Sequence, residues 1–190
     1  MSLHITIQVE IFSFWHAGSG LGRSGFEDAQ ALRDTDGLPY LPGRTLKGLL
    51  REGVAQAADY GQLPSGRAAA DLFGVADSAE KANHDTGLFF GDARLDAATR
   101  QWLAVNPAGR EFLFQPFSST KLDEDGQADD HTLRQVELAV PMTLLADAVV
   151  PDETTLRDLR AGAAMVRHLG SHRHRGLGRC RITLQETKAS

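Results

Sequence analysis

Near its end the chain carries GSHRHRGLGR, Gly170 to Arg179. Arg173, Arg175 and Arg179, with Arg167 and Arg181 beside them, put five arginines and no acid between positions 165 and 181. Gly170, Gly176 and Gly178 allow a backbone to approach a partner closely, and guanidinium forks with exposed amides match phosphate oxygens. That chemistry is contact with a nucleic-acid backbone. The same residues would also make a solvated turn whose arginines pair with the acidic stretch KLDEDGQADD. His172 and His174 flank Arg173 and could exchange protons as acid and base, although a basic loop uses such histidines equally well as backbone contacts.

A second basic segment is LPYLPGRTLKGLLR, Leu38 to Arg51. Arg44, Lys47 and Arg51 fall three and four residues apart, so they share one side of a helix whose first amides form an anion site. An ordinary amphipathic helix with a solvated basic face has the same pattern. Glu27 and Asp28 are, on chemistry alone, two surface acids in a glycine-rich stretch. His16 closes the first apolar segment, where a capping or surface role suits it. Asp123, Glu124, Asp125, Asp129 and Asp130 lack the spacing and terminal glutamate of a calcium loop and suit an acidic hairpin tip. Phe112, Phe114 and Phe117 offer stacking surfaces or core packing. HExxH, CxxC and P-loop patterns are absent, and the single cysteine, Cys180, excludes an internal disulfide and a multi-cysteine zinc site.

The elements that position these residues follow from periodicity. Ile5, Ile7, Val9 and Ile11 alternate with polar residues and predict a half-buried strand. From Trp15 to Leu41 five glycines and scattered charges predict an excursion over the surface. Leu46, Leu49, Leu50 and Val54 then predict a helix, with Gly61 as its stop. LFFGDARL from Leu88 predicts a strand in which Gly91 marks a bulge or a close approach. Val136, Leu138, Val140, Met142 and Leu144 predict another, with Pro141 at an edge or bulge. Asp152 and Glu153 open a second helix that ends at Arg167 and His168 with Gly170 as its cap signal. Cys180, Ile182 and Leu184 predict the last strand. Strand, helix, strand, strand, helix, strand is the α+β, ferredoxin-like (RRM-like) βαββαβ order, an antiparallel sheet with both helices on one face. Residues from about 96 to 133, with EFLFQPF and KLDEDGQADD, are an insertion suited to a projecting hairpin.

The 190 residues suit one domain. Hydrophobic residues at 42% and charged residues at 24% describe a globular chain. No apolar run approaches the length of a membrane span, and MSLHITIQVE lacks the basic and apolar regions of a secretory leader, so a cytoplasmic location without membrane contact is expected. A net charge of −5 excludes a surface coated for non-specific nucleic-acid binding and leaves room only for a local basic patch.

Taken together, the two basic segments are more specific than either. PYLPGRTLKGLLR resembles the proline, glycine and lysine motif that opens the first helix in the RAMP superfamily of CRISPR effector proteins, and GSHRHRGLGRCRI resembles its C-terminal glycine-rich loop. FEDAQALRDTDGLPYLPG is similar to the segment of type III backbone subunits that precedes the Leu-Pro turn. FSSTKLDEDGQADDHTLRQVELAVP resembles their projecting thumb, and LFFGDARL the strand leading to it. The resemblance covers most of the chain in the right order.

It implies a repeated backbone subunit of a type III effector complex. Such subunits polymerise along guide crRNA, grip it through the first-helix region and the glycine-rich loop, and kink the guide and target duplex with their thumbs. The expected partners are crRNA, target RNA, neighbouring copies of the chain and other type III CRISPR subunits. Arg44, Lys47, Arg51, Gly170, His172, Arg173, His174, Arg175, Gly176, Gly178 and Arg179 become the expected RNA contacts. Target cleavage in the family depends on a loop aspartate, which falls here on Asp28, acting with Mg²⁺ or another divalent cation as an endoribonuclease. Alternatives within and beyond the family are a non-catalytic RAMP subunit, a guide-processing endoribonuclease using His172 or His174, and a structural assembly protein.

Overall fold

The computed structural model describes residues 2–18, 29–74, 86–119 and 134–187. Asp28, Glu27 and the acidic run from Asp123 to Asp130 lie outside these residues. β1 (Leu3–Ile11) is the strand that its alternation predicts, with Ile5, Ile7, Val9 and Ile11 all buried and the intervening Thr6, Gln8 and Glu10 half-buried. Burying each such side chain is worth about 1.5–3 kcal/mol, enough to fix the strand's register against a one-residue slip. It pairs antiparallel with β5 (Met142–Val150), from Leu3 opposite Val150 to Ile11 opposite Met142, and with β6 (Cys180–Glu186), from Ile5 opposite Glu186 to Ile11 opposite Cys180. The two-residue β2 (Phe89–Phe90) completes a sheet of order β2-β5-β1-β6.

α1 (Gly43–Asp59) and α5 (Glu153–Met165) cover the buried face of the sheet with Leu46, Leu50, Val54, Leu156 and Leu159. Asp152 caps α5 by accepting the Thr155 amide at 2.7 Å. The helices meet backbone to backbone: a Cβ at Gly53 would run into the Gly162 carbonyl, and one at Gly162 into Val54. This is the ferredoxin-like arrangement. Short helices α2 (Ala69–Phe73), α3 (Ala97–Val105) and α4 (Ala108–Glu111) lie in stretches where the sequence showed no period long enough to name them.

The stretch from Val136 to Leu144, one strand by its alternation, is two. β4 (Arg134–Ala139) pairs antiparallel with β3 (Phe114–Ser119) in a separate hairpin, and β5 belongs to the main sheet. Pro141, which has no amide hydrogen to donate, stands at the join. The alternation runs through the break in phase, so periodicity alone does not reveal it. α5 also stops earlier than its charges suggested, at Met165, and Val166 turns to ψ 109°. Arg167 and His168 therefore lie beyond the helix, and Gly170 is not its cap. The excursion after β1 is likewise less superficial than its composition implied, since Trp15, Ala31, Leu38 and Leu41 are in the core.

Candidate nucleic-acid interface

The glycine-rich loop is laced to the residues that follow β1. The Phe12 amide donates to the Arg179 carbonyl at 2.8 Å, Gly178 to Phe14 at 2.8 Å, Ser171 to His16 at 2.9 Å, and Leu169 to Gly178 at 2.8 Å. The Arg179 amide donates to Ser13 Oγ at 2.9 Å. Two glycines make this possible. Gly170 (φ 76°) and Gly178 (φ 66°) sit in the left-handed region, and a Cβ on either would overlap a carbonyl oxygen, that of His16 or that of Leu169. Between these anchors Arg173–Arg175 form a single 3-10 turn, preceded by His172 at φ 61°, an unusual conformation for a side-chain-bearing residue. His172, Arg173, His174, Arg175 and Gly176 are all exposed as a result.

The loop faces α1 across a groove of about 550 Å³, in which Arg44, Thr45 and Gly48 oppose Gly170, Ser171 and Arg173. Three of the predicted contacts, Arg44, Gly170 and Arg173, are thereby brought together. His174 lies in an adjoining depression of about 520 Å³ between α1 and the end of α5. Lys47 and Arg51 line neither. At 100° per residue Arg51 and Lys47 project about 20° and 60° to one side of Arg44, while Gly48 and Glu52 lie on the other. Arg173 pairs with Glu52 at 3.1 Å; with side chains 41% and 66% exposed, the pair is worth at most about 1 kcal/mol and yields readily to a phosphate.

The start of α1 is not the open anion site that its sequence suggested. Asp92 Oδ1 accepts the Gly43 amide at 3.0 Å. That hydrogen bond, opposed by partial burial and aided by Arg94 and Arg44, holds the Asp92 carboxyl below its ordinary range. Gly43 has to be glycine, because a Cβ there would run into the Phe90 carbonyl. The close approach at Gly91, anticipated from its place in LFFGDARL, is real: a Cβ there would lie 3.0 Å from the Asp147 carbonyl oxygen.

His16 is buried, and its Nδ1 lies 2.8 Å from the Glu137 carbonyl oxygen. A carbonyl only accepts, so Nδ1–H is the donor in this contact. Trp15 binds β4 through paired backbone bonds with Ala139 and donates Nε1–H to the Val140 carbonyl at 3.1 Å. Glu137 itself is a buried organiser. Its carboxylate accepts Arg33 Nη2 at 2.8 Å and the Ala31 amide at 3.2 Å, while its own amide donates to Ala29 at 3.0 Å. Arg33 lies 3.9 Å over the Phe114 ring, which settles that phenylalanine as packing, whereas Phe112 and Phe117 are exposed. Next along the chain Asp34 accepts Arg100 at 2.6 Å and the amides of Asp36 and Leu38. Burial works to raise its pKa, but Arg100 and the two amides together hold it below the ordinary carboxylate value. Residues 29–38 are thus clamped to the hairpin base and to α3. Among the described residues no three His, Cys, Asp or Glu side chains converge as metal ligands.

Sequence reasoning missed Glu52, Glu137 and the structural duty of His16. Glu137 was hidden by its place on the polar side of an alternating strand, and Glu52 by standing directly after Arg51 as one more charge on a solvated helix face.

These features define a ferredoxin-like domain with a glycine-rich loop set against the first helix and a hairpin between the second and third strands of its sheet. A sequence model of the RAMP superfamily matches residues 8–181, from within β1 through the glycine-rich loop, and the chain belongs to that superfamily. Two solved structures share the fold. One is a chain of a type III-B Cmr-β complex bound to cognate target RNA, with a TM-score of 0.65 and 10% identity over 95% of this chain and 96% of that one. The other is a chain of type III-B Cmr-β in its apo state, with a TM-score of 0.67 and 12% identity over 96% and 97%. No curated protein sequence matches the chain. No helix among the described residues is long and apolar enough to cross a membrane.

Proposed function

We propose that the chain is a backbone subunit of a type III CRISPR effector complex. In this role it holds guide crRNA in the groove between α1 and the glycine-rich loop, and it cleaves complementary target RNA with Asp28. The observation that carries the first part is the groove itself, in which Arg44 and Arg173 converge with Thr45 and Ser171 in a member of the RAMP superfamily. Guanidinium and hydroxyl donors of this kind recognise phosphate and sugar, so binding is independent of guide sequence. The partners are crRNA, target RNA, neighbouring copies and other type III subunits, as befits a chain whose fold matches chains of type III-B complexes.

For cleavage, the support is the clamp on the residues that follow Asp28. Ala29 and Ala31 are hydrogen-bonded to Glu137, so the chain leaves Asp28 directly into a fixed segment. Mg²⁺ accepts one or two protein carboxylates with water and phosphate oxygens completing its shell, a donor set that Asp28 with Glu27 would supply. Glu137 is unsuited to holding the cation because Arg33 and the Ala31 amide already occupy its oxygens. When bound, the cation would activate the RNA 2′-hydroxyl or stabilise the leaving oxygen. The chain's own share is to hold the guide backbone and present a carboxylate at one place along the target.

The test is cleavage of guide-complementary RNA by the reconstituted complex, wild type against Asp28→Ala, with Mg²⁺ and with chelator. Loss of regularly spaced, metal-dependent cuts with assembly intact supports Asp28 as catalytic; unchanged cutting removes it. Arg44→Ala combined with Arg173→Ala should reduce the slope of log affinity against log salt by up to about 1.4. An unchanged slope would remove the groove as the guide site.

A further inference from the structure

The depression that holds His174 also carries Val166, Arg167 and His168. Those three residues are shared with a third and larger depression, of about 700 Å³, between the C-terminal half of α5 and β6. Its floor is apolar, with Ala163, Ile182 and Leu184, while Arg160, Arg167, Arg179 and Arg181 stand around it. At one end is Phe12, 47% exposed, with the Arg181 guanidinium 5.5 Å from its ring centroid. Two carboxylates oppose these charges, Glu186 at 3.3 Å from Arg160 and Glu10 at 3.8 Å from Arg181. Among the described residues Arg167 and Arg179 have no carboxylate partner. In a chain of net charge −5 this is a concentrated basic surface, and it continues the surface of the α1 groove round the end of α5.

We propose that this depression is a second contact for single-stranded RNA, where a base stacks on Phe12 and the flanking phosphates lie on Arg167, Arg179 and Arg181. The strand reaches it from the α1 groove past Arg173 and His174. An exposed aromatic face beside arginines suits any base, because every base has a π-face, and needs no reading of base edges. β6 is an edge strand, which would otherwise suit addition of a peptide strand. However, the Cys180 amide already donates to the Arg167 carbonyl at 2.8 Å, and the Leu184 carbonyl accepts Arg160 Nε at 3.4 Å. Two main-chain groups that a peptide strand would use are therefore engaged, and the chemistry left on offer is cationic and aromatic. The proposal rests on the α1 groove being an RNA site.

The experiment is fluorescence anisotropy of a labelled oligouridylate with the full chain across a salt series, each variant first shown by thermal unfolding to be folded. Phe12→Ala should weaken binding about fivefold or more, and Phe12→Trp should restore it. Arg167→Ala with Arg181→Ala should reduce the salt slope by about 1.4. If Arg44→Ala with Arg173→Ala weakens binding while the Phe12 and Arg167/Arg181 variants match wild type, the second contact is overturned and the α1 groove stands. If wild type does not bind the strand at all, both readings fail. Variants at Phe12 or Arg167 that bind RNA normally but lose self-association in sedimentation would make the depression a protein interface and overturn the proposal.

Discussion

Glu137→Gln keeps the size and shape of a buried side chain while turning one of its two acceptors into a donor. In the native chain one oxygen takes Arg33 at 2.8 Å and the other the Ala31 amide at 3.2 Å. A glutamine amide must present its NH₂ to one of these donors, so one contact becomes donor against donor. A hydrogen bond to a charged group contributes about 1.5–3 kcal/mol, and a buried amide left without an acceptor costs about 1–3 kcal/mol. The Arg33 side chain is 35% exposed and can rehydrate, which brings the net cost to the lower part of that range, about 2 kcal/mol. For a chain of this size that corresponds to a fall in melting temperature of about 4–8 °C. Circular dichroism measures the melting temperature, and hydrogen exchange reports the Ala31 amide directly, with protection expected to drop about thirtyfold if the opening is local. A melting temperature within about 1 °C of wild type, with Ala31 equally protected, would refute the view of Glu137 as the anchor of residues 29–33.

Two further outcomes follow from the loop and its surroundings. Gly178→Ala adds a clash with the Leu169 carbonyl to a left-handed strain of about 1–2 kcal/mol, whereas Gly176→Ala (φ 79°) meets open space and incurs the strain alone. Urea unfolding should therefore show Gly178→Ala as clearly the more destabilised and the weaker RNA binder; equal losses would contradict the close-packing argument. Asp34 has its pKa lowered from 3.8 in the folded chain, so its contribution is complete above that value and fades as pH falls through the lower folded one. Asp34→Asn should be destabilised at neutral pH, with the gap to wild type narrowing below about pH 4; a gap of constant size across an acid titration would refute this.

Much of the sheet was legible because its strands bury one face, and a period of two records that in Ile5, Ile7, Val9 and Ile11 or in Cys180, Ile182 and Leu184. The basic loop and the start of α1 were legible as composition, but their meeting was not, since it depends on the α1–α5 crossing. The break at Pro141 escaped because the hairpin and the sheet continue one alternation in phase. Glu137 and His16 escaped because a buried, hydrogen-bonded polar residue looks in sequence like a solvated one. Gly170 was recognised as a residue of special backbone but given the wrong role, because its neighbour in space is His16, far away along the chain.

The contact of Gly53 with Gly162 reaches further than core packing. One wall of the α1 groove is α1 itself, and the other is the loop that leaves α5, so the distance between the walls is set where the two helices touch without side chains between them. Such a joint leaves little room for the helices to slide or separate. In the role proposed for it, the groove would work like a gauge of fixed width, suited to the one dimension that recurs unchanged from nucleotide to nucleotide, the sugar-phosphate repeat, and indifferent to the bases that hang from it.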